Sequence, residues 1–279
     1  MSATALDLAA PRRAAVRQVS PTVVLAALVL LVALAWAVAP GLWTAFDPAV
    51  GIPRGGLRPP SEAHVLGTDG LGRDLFARIV YGARESLLGA AVAVTVGLAL
   101  GTLLGGVAGT AGGWTDAVVM RLVDTLLAIP ALLLSLSIVV LLGFGTVNIA
   151  VAVGLVSVAR FARLARSEVV RVRASDYVEA AYGIGGRFLA VMWRHVLPNS
   201  LTAVLALAAL QFGSAILQIS TLGFLGYGAP PPTPEWGLLI AEGRNYLARA
   251  PWLVTAPGVI VVLVVLSAER IGRALGSRA

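Results

Sequence analysis

Cysteine is absent from this chain, and so is lysine. Without thiols there are neither disulfides nor thiolate metal sites. Without lysine there is no Walker-type phosphate loop, so the chain is not itself an ordinary P-loop ATPase, and no lysine Schiff base forms. Charge is scarce: 13% of the 279 residues are charged, against about a quarter in soluble domains. Hydrophobic residues make up 58%, and the mean hydropathy is +0.89. This composition belongs to an integral membrane protein. All 21 basic residues are arginine and leave a net charge of +7. In so apolar a chain that excess reports arginine-rich cytoplasmic loops rather than a nucleic-acid partner. Neither His-Glu-x-x-His nor Gly-x-Ser-x-Gly occurs, so the common intramembrane hydrolase arrangements lack their residues, and no catalytic residue is assigned.

The charges that remain divide the chain into spans. Arg12, Arg13 and Arg17 precede an apolar run over 23–38. Ala39-Pro40-Gly41 makes a poor cleavage site and the run is long enough to cross a bilayer. It is therefore read as a retained first span with a cytoplasmic N-terminus. Residues 41–85 form a polar connector, and 86–110 hold the second span. Its Gly89, Gly97, Gly101, Gly105 and Gly109 recur mostly at four-residue steps and make a smooth face for a neighbouring helix. Between Asp124 and Arg160 lie 35 uncharged residues, too few for two spans of about 20 plus a turn. The third span must then start near Asp116 and carry Arg121 and Asp124, three apart and expected to pair. A turn over 143–148 leads into a fourth span ending near Arg163. The fifth is expected over 199–222 and the sixth over 252–267. A stiff loop over 226–237 and a short helix to Ala248 lie between those two, with Trp236 and Trp252 suited to the membrane interface. Six spans place fourteen arginines inside and seven outside, the expected sign. The chain thus divides into 1–85 (tail, first span and connector) and a core over 86–279.

Two polar stretches stand out. In the connector, Asp69-Gly70 and Gly72 mark turns, and Asp74 caps a short interfacial helix with Leu75, Phe76, Ile79 and Val80 on one face. His64, Asp69 and Asp74 read as turn and cap residues rather than metal ligands, since no pair has helix-face spacing. The second stretch runs from 176 to 199. Asp176 is placed as an N-cap with Glu179 completing a capping-box-like pair. Ala180 and Ala181 let another surface approach the backbone, Gly183, Gly185 and Gly186 break the helix, and Pro198 starts the next apolar segment.

The spacing Glu179-Ala180-Ala181, Gly185, His195 and Leu197-Pro198 resembles the EAA loop of membrane permeases from ABC importers, here spanning about 167–198. In the connector, Gly67-Thr68-Asp69, Gly72-Arg73-Asp74 and Gly82-x-Arg84 resemble the dipeptide, oligopeptide and nickel branch of those permeases. So do Gly112-Gly113-Trp114-x-Asp116 through Arg121, Asp124 and Ala128-x-Pro130, the run Pro231-Pro232-Thr233-Pro234-Glu235-Trp236-Gly237, and Glu242-Gly243-Arg244-x-Tyr246. The likeness covers His64 to about Gly258. The departure is Ser267-Ala268-Glu269-Arg270-Ile271-Gly272, where the branch carries an Asn-Leu-x-Gly-Asp-Gly-like stretch.

The resemblance implies an all-α polytopic protein of six transmembrane helices with the ABC-importer permease (MetI-like) fold. It implies import of di- and oligopeptides by alternating access. The assembly would hold a second homologous permease, two ABC ATPase subunits and an extracytoplasmic substrate-binding protein in a bacterial inner membrane. Both termini would be cytoplasmic. ATP and Mg would be bound by the ATPases, with no cofactor in this chain. The docking residues would be Asp176, Glu179, Ala180, Ala181, Gly185, His195, Leu197 and Pro198. Gly67, Thr68, Asp69, Gly72, Arg73, Asp74, Pro232, Pro234, Trp236 and Gly237 carry the extracytoplasmic motifs.

Nickel import is the nearest alternative. A stand-alone secondary transporter would need acidic or histidine residues at mid-span, and the middles of the six spans read as charge-free. The pathway is expected to offer Ser135, Ser137, Thr202, Gln211, Ser214 and Gln218. Such hydroxyls and amides suit peptides better than a dehydrated nickel ion, which prefers imidazole and similar donors. His64 and His195 fall outside the spans, and no metal site is assigned.

Overall fold

The computed structural model describes residues 20–276, and all of its regular structure is helical apart from one isolated bridge between Thr68 and Asp74. The N-terminal tail arginines and Arg278 lie outside the described residues. The helices are α1 (Pro21–Val38), α2 (Leu75–Ala111), α3 (Gly113–Ala128), α4 (Ala131–Leu142), α5 (Thr146–Arg173), α6 (Asp176–Gly183), α7 (Phe188–Val191), α8 (Leu197–Phe224), α9 (Trp236–Gly243) and α10 (Trp252–Gly276). Five helical runs are long and apolar enough to cross a membrane, and the pair α3–α4 makes a sixth if its two arms form one span.

α2 corrects the expectation of a separate interfacial helix. Asp74 does cap it, with Oδ1 accepting from the Ala77 amide at 2.7 Å. The helix then runs unbroken for 37 residues, so the division drawn at residue 85 falls inside it. Its length of about 55 Å exceeds the hydrocarbon thickness. Leu75, Ile79 and Val80 do not lie on a membrane surface. They are buried, and the Trp236 indole donates to the Ile79 carbonyl at 3.0 Å. Trp236 is accordingly a core residue rather than an interfacial one.

Further along, α2 lies directly against α5 through the glycine face. A methyl group at Gly105 would land on the Ala162 carbonyl, and one at Gly101 on the Phe161 side chain. Absent side chains let the two backbones touch, the arrangement small residues serve in membranes.

The third span is bent. α3 and α4 meet at 97° across Ile129 and Pro130. Pro130 cannot donate to the α3 ladder and forces Ile129 into extended backbone, ψ 132°. Asp124 does not pair with Arg121; its partner is Arg163, at 2.5 Å, because α5 runs alongside α3. Arg166 makes a two-pronged contact with Asp116 in the same way, at 3.0 and 2.6 Å. These partners, with Arg173 donating to the Gly109 and Thr110 carbonyls, accompany α5 ten residues beyond its expected end. The expected turn is present, with Gly143 and Gly145 at positive φ and the Asn148 amide on the Leu142 and Gly143 carbonyls.

Pro198 does not start the fifth span. The helical run is continuous over Phe188–Phe224. A single π turn over Met192–Val196 precedes the proline and shifts the hydrogen-bond register there, so the run continues past a residue with no N–H to donate. α9 begins at Trp236 and gives way to a 3-10 turn over Arg244–Tyr246, short of Ala248. α10 extends past the expected 267 to Gly276. The main core gathers Leu75, Ile79, Ile149, Ile216, Ile219, Leu222 and Trp236, and a small satellite cluster lies under α6.

Candidate coupling loop and translocation face

α6 is held from beneath. Val178, wholly buried, inserts among Val169 and Val172 of α5, Val191 and Met192, and Val196. The Tyr177 hydroxyl donates to the His195 carbonyl at 3.3 Å, and Asn199 Nδ2 donates to the same oxygen at 2.7 Å. α6 is therefore fastened to both the end of α5 and the start of the α8 run. The N-cap is Ser175, not Asp176: the Val178 and Glu179 amides donate to the Ser175 carbonyl, and the Ser175 hydroxyl turns to the Val172 carbonyl at 2.5 Å. Asp176 and Glu179 occupy the first turn, where acids oppose the positive end of the helix. No capping box forms, because an aspartate one position into the helix no longer reaches back to the N3 amide.

The opposite side of α6 is open. Asp176, Glu179, Ala180 and Gly185 are exposed, whereas Ala181 is half-buried against the valine cluster. Gly185 takes φ +91°, which a side chain disfavours. His195 and Leu197 are half-buried and Pro198 is exposed. Thr202, expected in the pathway, instead lines a cleft of about 290 Å³ with Arg171, Ser175, Tyr177 and Asn199 beside this loop.

The connector motifs converge on a buried ion network. Asp69 accepts from the Leu71 and Arg73 amides, from Arg73 Nε at 2.6 Å and from Arg78 Nη1 at 2.8 Å. Arg78 also donates to Glu242 at 2.5 Å, and Arg73 does so at 3.3 Å. These groups line a cleft of about 240 Å³ between the connector and α9. Gly67 and Gly72 supply the positive φ that the turns need, and Thr68 ties the connector by donating to the Gly55 carbonyl at 2.6 Å. His64 Nδ1 and Asp74 Oδ2 are 2.8 Å apart. Among the described residues no three acidic or histidine side chains gather as a metal site would require. Sequence reasoning gave Arg78 no role; its position four residues after the Asp74 cap was the available signal.

Pro232 and Pro234 lead into α9, and Gly237 packs its α-carbon on the Ser220 backbone. Glu235 caps this helix, accepting from the Gly237 and Leu238 amides at 2.9 and 3.2 Å. It is 1% exposed, and burial pushes its carboxyl up to about 7; the two amide donors oppose this and the nearby Glu85 charge adds to it. Sequence reasoning quoted Glu235 within a motif but gave it no role.

The remaining candidates divide. Ser135 and Ser137 spend their hydroxyls on the Leu132 and Leu133 carbonyls of their own helix. Gln211, Ser214 and Gln218 share one sector of α8. Arg160 reaches Gln211 from α5 at 3.5 Å. Arg160 stands near the middle of α5, since that helix runs past its expected end. The expectation of a fourth span free of charge at its middle does not hold for the helix as a whole.

A family model described as a binding-protein-dependent transport system inner membrane component matches residues 101–279. The dipeptide transport system permease of Alkalihalophilus pseudofirmus is 44% identical over 80% of this chain and 73% of its own length. The di/tripeptide transport system permease of Pseudomonas aeruginosa is 42% identical over 84% and 79%. The glutathione transport system permease of Pectobacterium atrosepticum is 39% identical over 77% and 72%. Among solved structures, the inward-facing MetNI methionine ABC transporter superposes with TM-score 0.56 at 17% identity, covering 71% of this chain and 96% of that one. An amino acid ABC transporter does so with TM-score 0.58 at 15% identity, covering 73% and 95%. Both likenesses are of fold.

Proposed function

The chain belongs to the family of binding-protein-dependent transport system inner membrane components, and from that premise we propose that it is the permease subunit of an ATP-driven importer of short peptides. The observation that carries this reading is α6: anchored on one side by Val178 and Tyr177 and open on the other at Glu179 and Ala180. An ATPase subunit grips the open side. Because the anchored side joins α5 to the α8 run, displacement of α6 tilts both long helices and turns the pathway from one face of the membrane to the other. ATP and Mg reside in the two ATPases, and the chain contributes motion rather than chemistry. A second, homologous permease completes the pathway, and an extracytoplasmic binding protein delivers the substrate. The Glu179 loop and both termini face the cytoplasm.

Relatives named for dipeptides, di/tripeptides and glutathione support peptide cargo. The hydroxyl and amide side chains of α8 suit such cargo better than a nickel ion. The test is ATP hydrolysis by the reconstituted complex with its binding protein, loaded with either di- to pentapeptides or nickel. Stimulation by peptide-loaded protein is expected; stimulation by the nickel-loaded form alone reverses the substrate.

A further inference from the structure

α5 carries five arginines, and four have an evident electrostatic partner. Arg163 holds Asp124, Arg166 holds Asp116, Arg171 holds Glu168, and Arg173 donates to the two carbonyls that end α2. Arg160 is different. Among the described residues it has no carboxylate within 4 Å, and its one polar contact is the Gln211 amide oxygen at 3.5 Å. Arg160 is half-buried and its partner Gln211 is 8% exposed, so the guanidinium stands beside a buried amide, near the middle of a long apolar helix, without gaining an anion. Such a charge is costly and marks a place where an anion is received.

A second observation says what kind of anion. At 3.6 residues per turn, Gln211, Ser214 and Gln218 fall within about 60° of arc on α8. Gln218 Oε1 is buried and has no hydrogen-bond donor. The stripe therefore starts at a cation lacking a carboxylate and ends at an acceptor lacking an N–H. A peptide supplies both groups; a lipid phosphate supplies only the first. Gln211 and Gln218 are seven residues apart, about 10 Å along the helix, and three extended peptide residues cover about the same distance.

We propose that Arg160 receives the C-terminal carboxylate of the transported peptide, with Gln211 orienting the guanidinium and Gln218 accepting from the peptide backbone. This rests on the peptide-importer reading above and assigns that pathway a polarity and a recognised group.

The experiment uses the full reconstituted transporter with binding protein preloaded with a tripeptide or its C-terminal amide, and uptake is scored per bound peptide. Wild type is expected to move the free carboxylate about tenfold faster than the amide, the scale of a charge-assisted contact. Arg160→Gln should bring the two within about twofold by slowing the free acid, while Arg160→Lys keeps the preference. Both variants should stay monodisperse in size-exclusion chromatography and keep the ATPase subunits bound, so a lost preference is not a failure to fold or assemble. If wild type moves neither peptide, the peptide-importer reading falls. If wild type moves both equally, or Arg160→Gln keeps the preference, the carboxylate assignment falls and Arg160 serves a lipid or a partner subunit.

Discussion

Replacing Glu235 by glutamine should reverse the order of stability between acid and alkaline pH. The carboxyl is buried at the start of α9, with Gly223 and Gly228 pressed against it and Glu85 nearby. Its pKa rises from the ordinary 4.5 to about 7 in the folded protein. The folded state thus binds a proton more tightly than the unfolded one. Stability is full below about pH 4.5 and falls as pH rises towards 7, where the unfolded chain ionises first. At about 1.4 kcal/mol for each tenfold in the proton equilibrium, the loss comes to about 3 kcal/mol by the time both states are ionised. Glutamine removes this pH dependence. It keeps one acceptor for the Gly237 amide and forfeits the other, a cost of about 1 kcal/mol. Glu235→Gln should then be less stable than wild type by up to about 1 kcal/mol near pH 5 and more stable by about 2 kcal/mol near pH 8. The assay is thermal unfolding in detergent across that range. The rest of the chain is the same in both proteins, so the difference between the curves isolates residue 235. Parallel curves, or a wild-type midpoint that does not fall between pH 5 and 8, would refute the argument.

Gly105→Leu should abolish insertion of a folded protein, because even a methyl group there meets the Ala162 carbonyl of α5; overpacking costs at least about 1–3 kcal/mol. A folded monodisperse Gly105→Leu protein by size-exclusion chromatography would count against the direct α2–α5 contact. Ala180→Trp acts on the exposed side of α6 and should leave the thermal midpoint of the isolated subunit unchanged while abolishing transport and ATPase binding. Retained uptake would remove α6 from the docking surface. The cysteine-free background permits a topology test: Ser175→Cys should react only with membrane-permeant reagents, and Thr233→Cys should label from outside. External labelling at residue 175 would invert the arrangement.

Much of the architecture was legible in one dimension. Burying apolar side chains in lipid requires a run of a certain length, and the spacing of charges divides this chain into six such runs without knowledge of any contact. The cap at Asp74, the turn at 143–148 and the glycine face of α2 all follow from local sequence. They depend on which backbone conformations a residue permits and on what can enter a bilayer. Helix ends were less legible. α5 outruns Arg163 and the α8 run passes through Pro198, because arginine partners on α2 and α3 and one π turn satisfy groups that look terminal in isolation.

The electrostatic partners were decided by the tertiary structure alone. Arg121 and Asp124 have the spacing of an intrahelical pair, yet α5 brings Arg163 to that aspartate. Trp236 has the character of an interfacial residue, yet Ile79 lies 157 positions away in sequence and takes its indole hydrogen. Glu235 and Arg160 are unremarkable letters until packing withdraws water from one and carboxylates from the other. Hydrophobicity is a property of a segment and can be read along the chain. A charge's energy depends on its distance to other charges and to water, and only the folded arrangement sets those distances.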